Sequence, residues 1–356
     1  MTWIFTNDEI DRVLTMDDAI AAMDVGYFEL AHGRGGNRGR SDIVSPVGGG
    51  ETVYALKSMD GVCTATGFAS IRLNSDILSW KQVAGSTRRV KVPAAPGGRY
   101  VGLVLLFSTA TGEPLAIFPD GVVQRMRVAA TSGLAARHLA RRDSRRVALI
   151  GSGWQAAAQA MAICRVRPIE AIRCFSPNPD NRKAFAKDMT ARLGIPVEPV
   201  GGILEALQDA DVVLCATSAI DPVLGMEAIR PGVHLSTIKP NEIAAQAVNA
   251  CDRVAVHVRH SNPLIIRTHG VELAEDKLGT LEPSAAIDET TMPELAEMIV
   301  GRAPGRQADD ETTAFLNYAG LGYQFTMVGG AAYLKARAAG LGREIPTEWL
   351  TELEHP

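Results

Sequence analysis

Apolar and polar positions follow two rhythms along the chain, and the rhythm changes near residue 125. Asp17 to Phe28 repeats apolar residues at helical spacing behind two acids suited to a first turn, which predicts a helix. Thr52 to Ser58, Gly67 to Leu73, Tyr100 to Ser108 and Pro114 to Phe118 read as strands, and Thr109 to Glu113 has hairpin character. The Gly-rich stretch 33–50 reads as loop. This part predicts a mostly β, α+β unit.

Beyond residue 125, helices and strands alternate. Helices are expected at Arg127–Leu139, Trp154–Cys164, Asn181–Leu193 and Leu204–Gln208. Strands are expected at Arg146–Ile150, Ala171–Phe175, Val197–Val200, Val212–Ala216, His234–Ile238 and Arg253–His257. That alternation indicates βαβ units on a parallel sheet. From Thr313 onward the pattern reads as helical and is expected to leave this unit and return to the first.

The run Val147-Ala148-Leu149-Ile150-Gly151-Ser152-Gly153-Trp154-Gln155-Ala156 is a strand entering G-x-G-x-x-A and then a helix. Gly151 permits the tight turn, Gly153 lets backbone approach a pyrophosphate, and Ala156 keeps the helix close to the strand. The helix N-terminus, with Trp154 and Gln155, offers free N–H groups and a positive dipole to phosphates. The end of the next strand discriminates the cofactor. No acid occupies positions 174–179; Ser176 and Asn178 can donate hydrogen bonds and Arg182 supplies charge, so NADP(H) is expected over NAD(H).

Composition narrows the partners. The 356 residues carry 36 Lys plus Arg against 40 Asp plus Glu, a net charge of −4, which offers no basic stripe for nucleic acid. Apolar runs are far shorter than the ~20 residues of a membrane span, and the N-terminus lacks the basic region of a secretory signal. Five cysteines without a CxxC pair suggest reduced thiols in a cytoplasmic protein. The spacing of His257, His260 and His269 fits no standard metal motif, so no metal is expected.

Several motifs together resemble the ornithine cyclodeaminase/mu-crystallin family. They are Asp8-Glu9-Ile10 through Met16-Asp17-Asp18-Ala19-Ile20, Gly112-Glu113-Pro114-Leu115-Ala116, Asp120-Gly121, Arg127-Val128-Ala129-Ala130-Thr131-Ser132, and the Gly151 turn. Asp211-Val212-Val213 with Ala216-Thr217-Ser218, Pro231-Gly232-Val233-His234, Thr313-Ala314-Phe315 and Gly320-Leu321-Gly322 complete the set. The resemblance implies an α/β fold in which a Rossmann-type nucleotide-binding domain, residues 126–312, is inserted into an α+β substrate-binding and dimerisation domain, residues 1–125 and 313–356. It implies a homodimer, a nicotinamide cofactor contacted also by Ala216, Thr217 and Ser218, and C–N redox chemistry on a small amino or imino acid. By the same resemblance Arg127 faces the substrate carboxylate. Arg40 is a second carboxylate ligand, with Arg38 the competing choice.

Two positions depart from the family pattern. Arg72 stands in the column of the family's active-site lysine, and Asn241 in that of the cyclodeaminase's aspartate. Arginine does not cycle a proton near neutral pH, and asparagine is no carboxylate base. Ketimine reduction or amino acid oxidation is therefore the expected activity, with Arg127, Arg72 and Arg40 on the carboxylate. Ornithine cyclodeamination and a non-catalytic, crystallin-like nucleotide binder are the alternatives. The proton-handling group is not identified: Glu242, Asp76 and Lys239 are the candidates.

Overall fold

The computed structural model of the chain describes residues 1–47, 52–83, 86–95, 97–219, 221–259, 264–271, 286–318 and 320–354. Gly48, Gly49, Gly50 and His260 lie outside the described residues. The chain divides into two compact units. The first is Met1–Arg127, Ser261–Thr280 and Gly320–Pro356; the second is Val128–His260 and Leu281–Ala319.

The first unit contains β1 (Thr2–Ile4), α1 (Asn7–Val13), α2 (Met16–Ala31), β2 (Gly35–Pro46), β3 (Val53–Cys63), β4 (Phe68–Val83), β5 (Ser86–Val92), β6 (Val101–Ser108) and β7 (Pro114–Pro119). Its strands form one sheet in the order β14-β2-β3-β4-β6-β7-β1-β16, with β5 paired to β4. Here β14 is Leu264–Arg267 and β16 is Arg343–Ile345. Burial along β3 alternates, with Val53, Ala55, Lys57, Met59, Gly61 and Cys63 on the inner face, the period-2 signature of a sheet with one covered side. Helix α9 (Gly322–Ala338) packs on β3 and β4, and α2 packs on α9. The start of α9 lies so close to β3 that a Cβ at Gly61 would sit 2.3 Å from Tyr323 Cα.

One expectation fails here. The stretch expected to be a loop, 33–50, contains the twelve-residue strand β2, which pairs with β3 and shifts register between Arg38 and Ser41. Glycine content describes local preference, whereas ladder bonds to an adjoining long strand decide the outcome.

Helix α3 (Gly121–Leu139) begins earlier than its apolar pattern suggests, so Arg127 lies inside the helix and not at its start. The second unit continues through β8 (Arg146–Ile150), α4 (Trp154–Val166), β9 (Ala171–Phe175), α5 (Pro179–Leu193), β10 (Val197–Pro199), α6 (Ile203–Leu207), β11 (Val212–Cys215), β12 (His234–Thr237), α7 (Ala245–Asn249), β13 (Arg253–Val256), α8 (Leu295–Ile299) and β15 (Thr313–Leu316). The sheet runs β10-β9-β8-β11-β12-β15-β13, with every pair parallel. Strand order reverses between β8 and β11, the switch point at which open α/β sheets take ligands. Thr313–Leu316, expected to be helical, is a fully buried strand between β12 and β13. A run of three apolar residues behind Thr313 is too short for its periodicity to separate strand from helix.

Candidate functional site

The second unit builds a turn suited to a dinucleotide at its switch point. Gly151 leaves β8 with φ +123°, a conformation reserved for glycine, and its N–H donates to the Phe175 carbonyl at 2.8 Å. A Cβ there would lie 2.2 Å from the Ala216 carbonyl oxygen, so β8 and β11 approach only because residue 151 has no side chain. Gly153 then caps α4 without any side-chain hydrogen bond, which leaves the first-turn N–H groups of α4 for a ligand anion. Trp154 is half-exposed beside them, Gln155 is partly buried, and Ala156 is buried against the sheet. These features fit a pyrophosphate.

The end of β9 carries the discriminating side chains. Ser152 Oγ donates to Ser176 Oγ at 2.7 Å. Arg182 Nη1 donates to the Ser176 carbonyl at 2.8 Å, and its guanidinium lies 5.7 Å from the Phe175 ring centre. The Asn178 side-chain Oδ1 is committed to capping α5, accepting from the backbone N–H groups of Asp180 and Asn181. Only its amide nitrogen can meet a ligand.

The three polar candidates after β12 act on the chain itself. Glu242 is buried, and each carboxylate oxygen takes two donors. Oε1 accepts from Thr217 N and Oγ1 at 2.6 and 2.8 Å, and Oε2 from Thr237 Oγ1 and Ile238 N at 2.7 and 3.2 Å. A carboxylate with these four contacts ties the ends of β11 and β12 together. Lys239 Nζ donates to the Ala219 carbonyl. Asn241 takes φ +62°, a left-handed turn that asparagine tolerates, immediately before Glu242. Ala216 is buried beside Gly151, Thr217 is held by Glu242, and Ser218 is exposed.

The first unit gathers charge on the inner face of its sheet. Arg72, Asn74 and Asp76 alternate along β4, opposite Met59, Lys57 and Ala55 of β3 in register. Arg72 Nε and Nη2 hold Asp120 Oδ2 at 2.8 and 2.7 Å, and Asn74 adds a weaker bond. Arg40 makes a two-point pair with Asp42, with its Nε at 2.7 Å. Lys57 Nζ lies 2.9 Å and Lys91 Nζ 2.8 Å from the two oxygens of Asp76. Arg127, from α3, donates to the side-chain oxygens of Gln324 and Gln124 at 2.6 and 3.1 Å. The guanidinium groups of Arg127 and Arg72 lie 5.0 and 5.3 Å from the Phe325 ring centre. Burial, then the like charge of Arg72, lowers the Arg127 pKa to about 9, a strain that a bound carboxylate relieves.

Arg40, Arg72, Arg127 and Asp76 thus come into one unit, but Arg40 and Arg72 each carry an internal carboxylate. Lys57 was missed by reading the sequence, although it sits at a core-parity position of an alternating strand. A lysine among Val53, Ala55 and Met59 is the signal that could have found it.

The ornithine cyclodeaminase/mu-crystallin family matches residues 73–329. A Delta(1)-pyrroline-2-carboxylate reductase of Bacillus cereus is 30% identical over 249 residues, 68% of this chain and 74% of the relative. An NAD(P)H-dependent anabolic L-arginine dehydrogenase of Pseudomonas aeruginosa is 26% identical over 93% of this chain and 96% of its own. Among solved structures, Thermococcus litoralis Delta(1)-pyrroline-2-carboxylate reductase, in complex with NADH and L-proline, superposes with a TM-score of 0.77. It has 25% identity and covers 97% of this chain and all of its own. The chain belongs to the ornithine cyclodeaminase/mu-crystallin family.

Proposed function

We propose that the chain is an NADP(H)-dependent oxidoreductase that reduces the C=N bond of a small imino acid, or oxidises the corresponding amino acid. The buried cation cluster of the first unit carries this reading. Arg127, set among neutral amides and beside Arg72, offers a planar fork to one substrate carboxylate. The nicotinamide supplies the hydride. Gly151, Gly153 and the start of α4 would hold its pyrophosphate, with Trp154, Gln155, Ala156 and the 216–218 turn around it. In this reading the second unit serves the nucleotide and the first unit serves the substrate. Arg72 and Asn241 weigh against ornithine cyclodeamination. The reductases and the dehydrogenase among its relatives favour catalysis over passive nucleotide binding.

NADPH oxidation with Delta(1)-pyrroline-2-carboxylate and a panel of acyclic imino acids tests the reading. Turnover supports it, while proline and ammonia from ornithine, with no net NADPH consumption, would replace it by the cyclodeaminase. Ser176, the Asn178 amide and Arg182 support the preference for the 2′-phosphate. Charge-assisted hydrogen bonds of about 1.5–3 kcal/mol correspond to NADPH binding roughly 10–100-fold tighter than NADH by calorimetry. Equal affinities would remove the preference.

A homodimer formed through the first unit is supported by an aliphatic row across the outer face of its sheet. Ile43, Leu56 and Val101, in register through Ser75, are 41%, 36% and 40% exposed. Sedimentation is expected to give the mass of two chains, and Leu56→Glu the mass of one. A Leu56→Glu chain that stays dimeric would move the interface elsewhere. The cytoplasm is the proposed compartment, supported by five free thiols. Among the described residues no helix is long and apolar enough to cross a membrane.

A further inference from the structure

Lys57 is a buried ammonium, 6% exposed, in the middle of β3. It faces Asp42 directly across β2 and Asn74 directly across β4. An ammonium has three N–H donors. Among the described residues its Nζ has one hydrogen-bond partner, Asp76 Oδ2, so two donors remain unspent. Burying such a group is costly unless its charge is used or well compensated. Its compensation is shared, because Lys91 holds the other oxygen of the same carboxylate. Lys91, the other ammonium on Asp76, is 43% exposed at its side chain, and the remaining basic groups of the cluster, Arg40, Arg72 and Arg127, are guanidinium ions, poor proton donors near neutral pH.

We propose that Lys57 gives the proton to the substrate nitrogen when the C=N bond is reduced; this rests on the proposed imine reduction. The balance is simple. A bound reduced nicotinamide would supply the hydride, two electrons and one hydrogen, that the imine carbon takes up. The C=N π pair moves to nitrogen and takes the Lys57 proton as a new N–H bond. The imine becomes an amine, the nicotinamide is oxidised, and neutral Lys57 recovers a proton from water. Asp76 is then a positioning residue that keeps the ammonium charged and aimed.

Groups facing Lys57 set its titration. Burial lowers its pKa to about 8, with Arg40 and Lys91 pushing it down and Asp76 holding it up. Asp42 stands opposite on β2, and Arg72 with its partner Asp120 lies diagonally on the β4 side. The acid form acts in reduction, so kcat is expected to fall as pH rises through about 8.

The test compares the wild type with Lys57→Arg, Lys57→Met and Asp76→Asn, using NADPH and Delta(1)-pyrroline-2-carboxylate from pH 6 to 10. Lys57→Arg preserves charge for folding and binding, and is expected to lower kcat by about 10²–10⁴-fold with KM changed only a few fold. Both Lys57 variants lose the alkaline limb, and a small primary amine in the buffer partly restores Lys57→Met. Asp76→Asn removes a stabilising countercharge, so its limb moves to lower pH, and lysine side-chain NMR of the nucleotide-free chain follows the same shift. Wild-type turnover with an active Lys57→Arg, or with the limb intact in Lys57→Met, overturns the role of Lys57 alone. An inactive wild type across the imino acid panel overturns the imine-reductase reading, and this proposal with it.

Discussion

Gly151→Ala is expected to abolish dinucleotide binding and to destabilise the second unit. Two costs add at this one position. The backbone sits at φ +123°, where an L side chain is strained by about 1–3 kcal/mol. The new methyl would also meet the Ala216 carbonyl oxygen at 2.2 Å, and that atom is backbone that cannot rotate away. Relieving the clash forces β8 and β11 apart at their C-terminal ends, where Gly151 N–H bonds Phe175 and Ala216 N–H bonds Ile150. A total near 3 kcal/mol would lower the melting temperature by about 6–12 °C for a unit of this size. Gly153→Ala is the control. No atom lies within 4 Å of a Cβ there, so its melting temperature should stay near wild type while a methyl at the N-cap weakens phosphate approach. Unchanged NADPH affinity in Gly151→Ala, measured by calorimetry, would place the nucleotide away from this turn.

Arg72→Met carries the second large effect. The guanidinium supplies two short bonds to Asp120 Oδ2 and a face-on contact with Phe325, and both ions are mostly buried. Among the described residues, removing it leaves the Asp120 carboxylate with only Asn74 at 3.3 Å as partner. An orphaned buried carboxylate costs about 3–5 kcal/mol, which would be read as a lower urea midpoint. The cost belongs to the orphaned charge more than to the lost pair. The double variant Arg72→Met with Asp120→Asn should therefore recover more than half of it. Arg72→Lys keeps the charge but not the fork, and should fall between. A double variant no more stable than Arg72→Met would show that packing over Phe325, not charge, is what Arg72 contributes.

Much of the second unit was legible in one dimension. Its central strands β8 and β11 are buried on both faces and appear as short apolar runs, and Gly151, Gly153 and Ala156 lie within ten residues of one another. Strand β15 escaped because its three apolar residues have no readable period. Strand β2 escaped because its glycines and polar side chains describe local preference, while β3 supplies the ladder that orders them. Glu242 was legible as an acid near a suspected site, but the four donors that spend its oxygens come from residues 217, 237 and 238, gathered by parallel pairing of β11 and β12.

By itself the sequence determined the family, the alternation of helices and strands after residue 125, the glycine turn and the absence of a carboxylate after β9. Each of these is a property of near neighbours along the chain. The tertiary structure decided which charges are spent and which are not. Arg40 meets Asp42, Arg72 meets Asp120, and Lys57 shares Asp76 with Lys91. Apart from the first, these partners are 15 to 48 residues apart, and only the folding of the sheet brings them to bonding distance. Burial then gives each pairing its weight, because in a low-dielectric interior a charge must be paired, titrated or used.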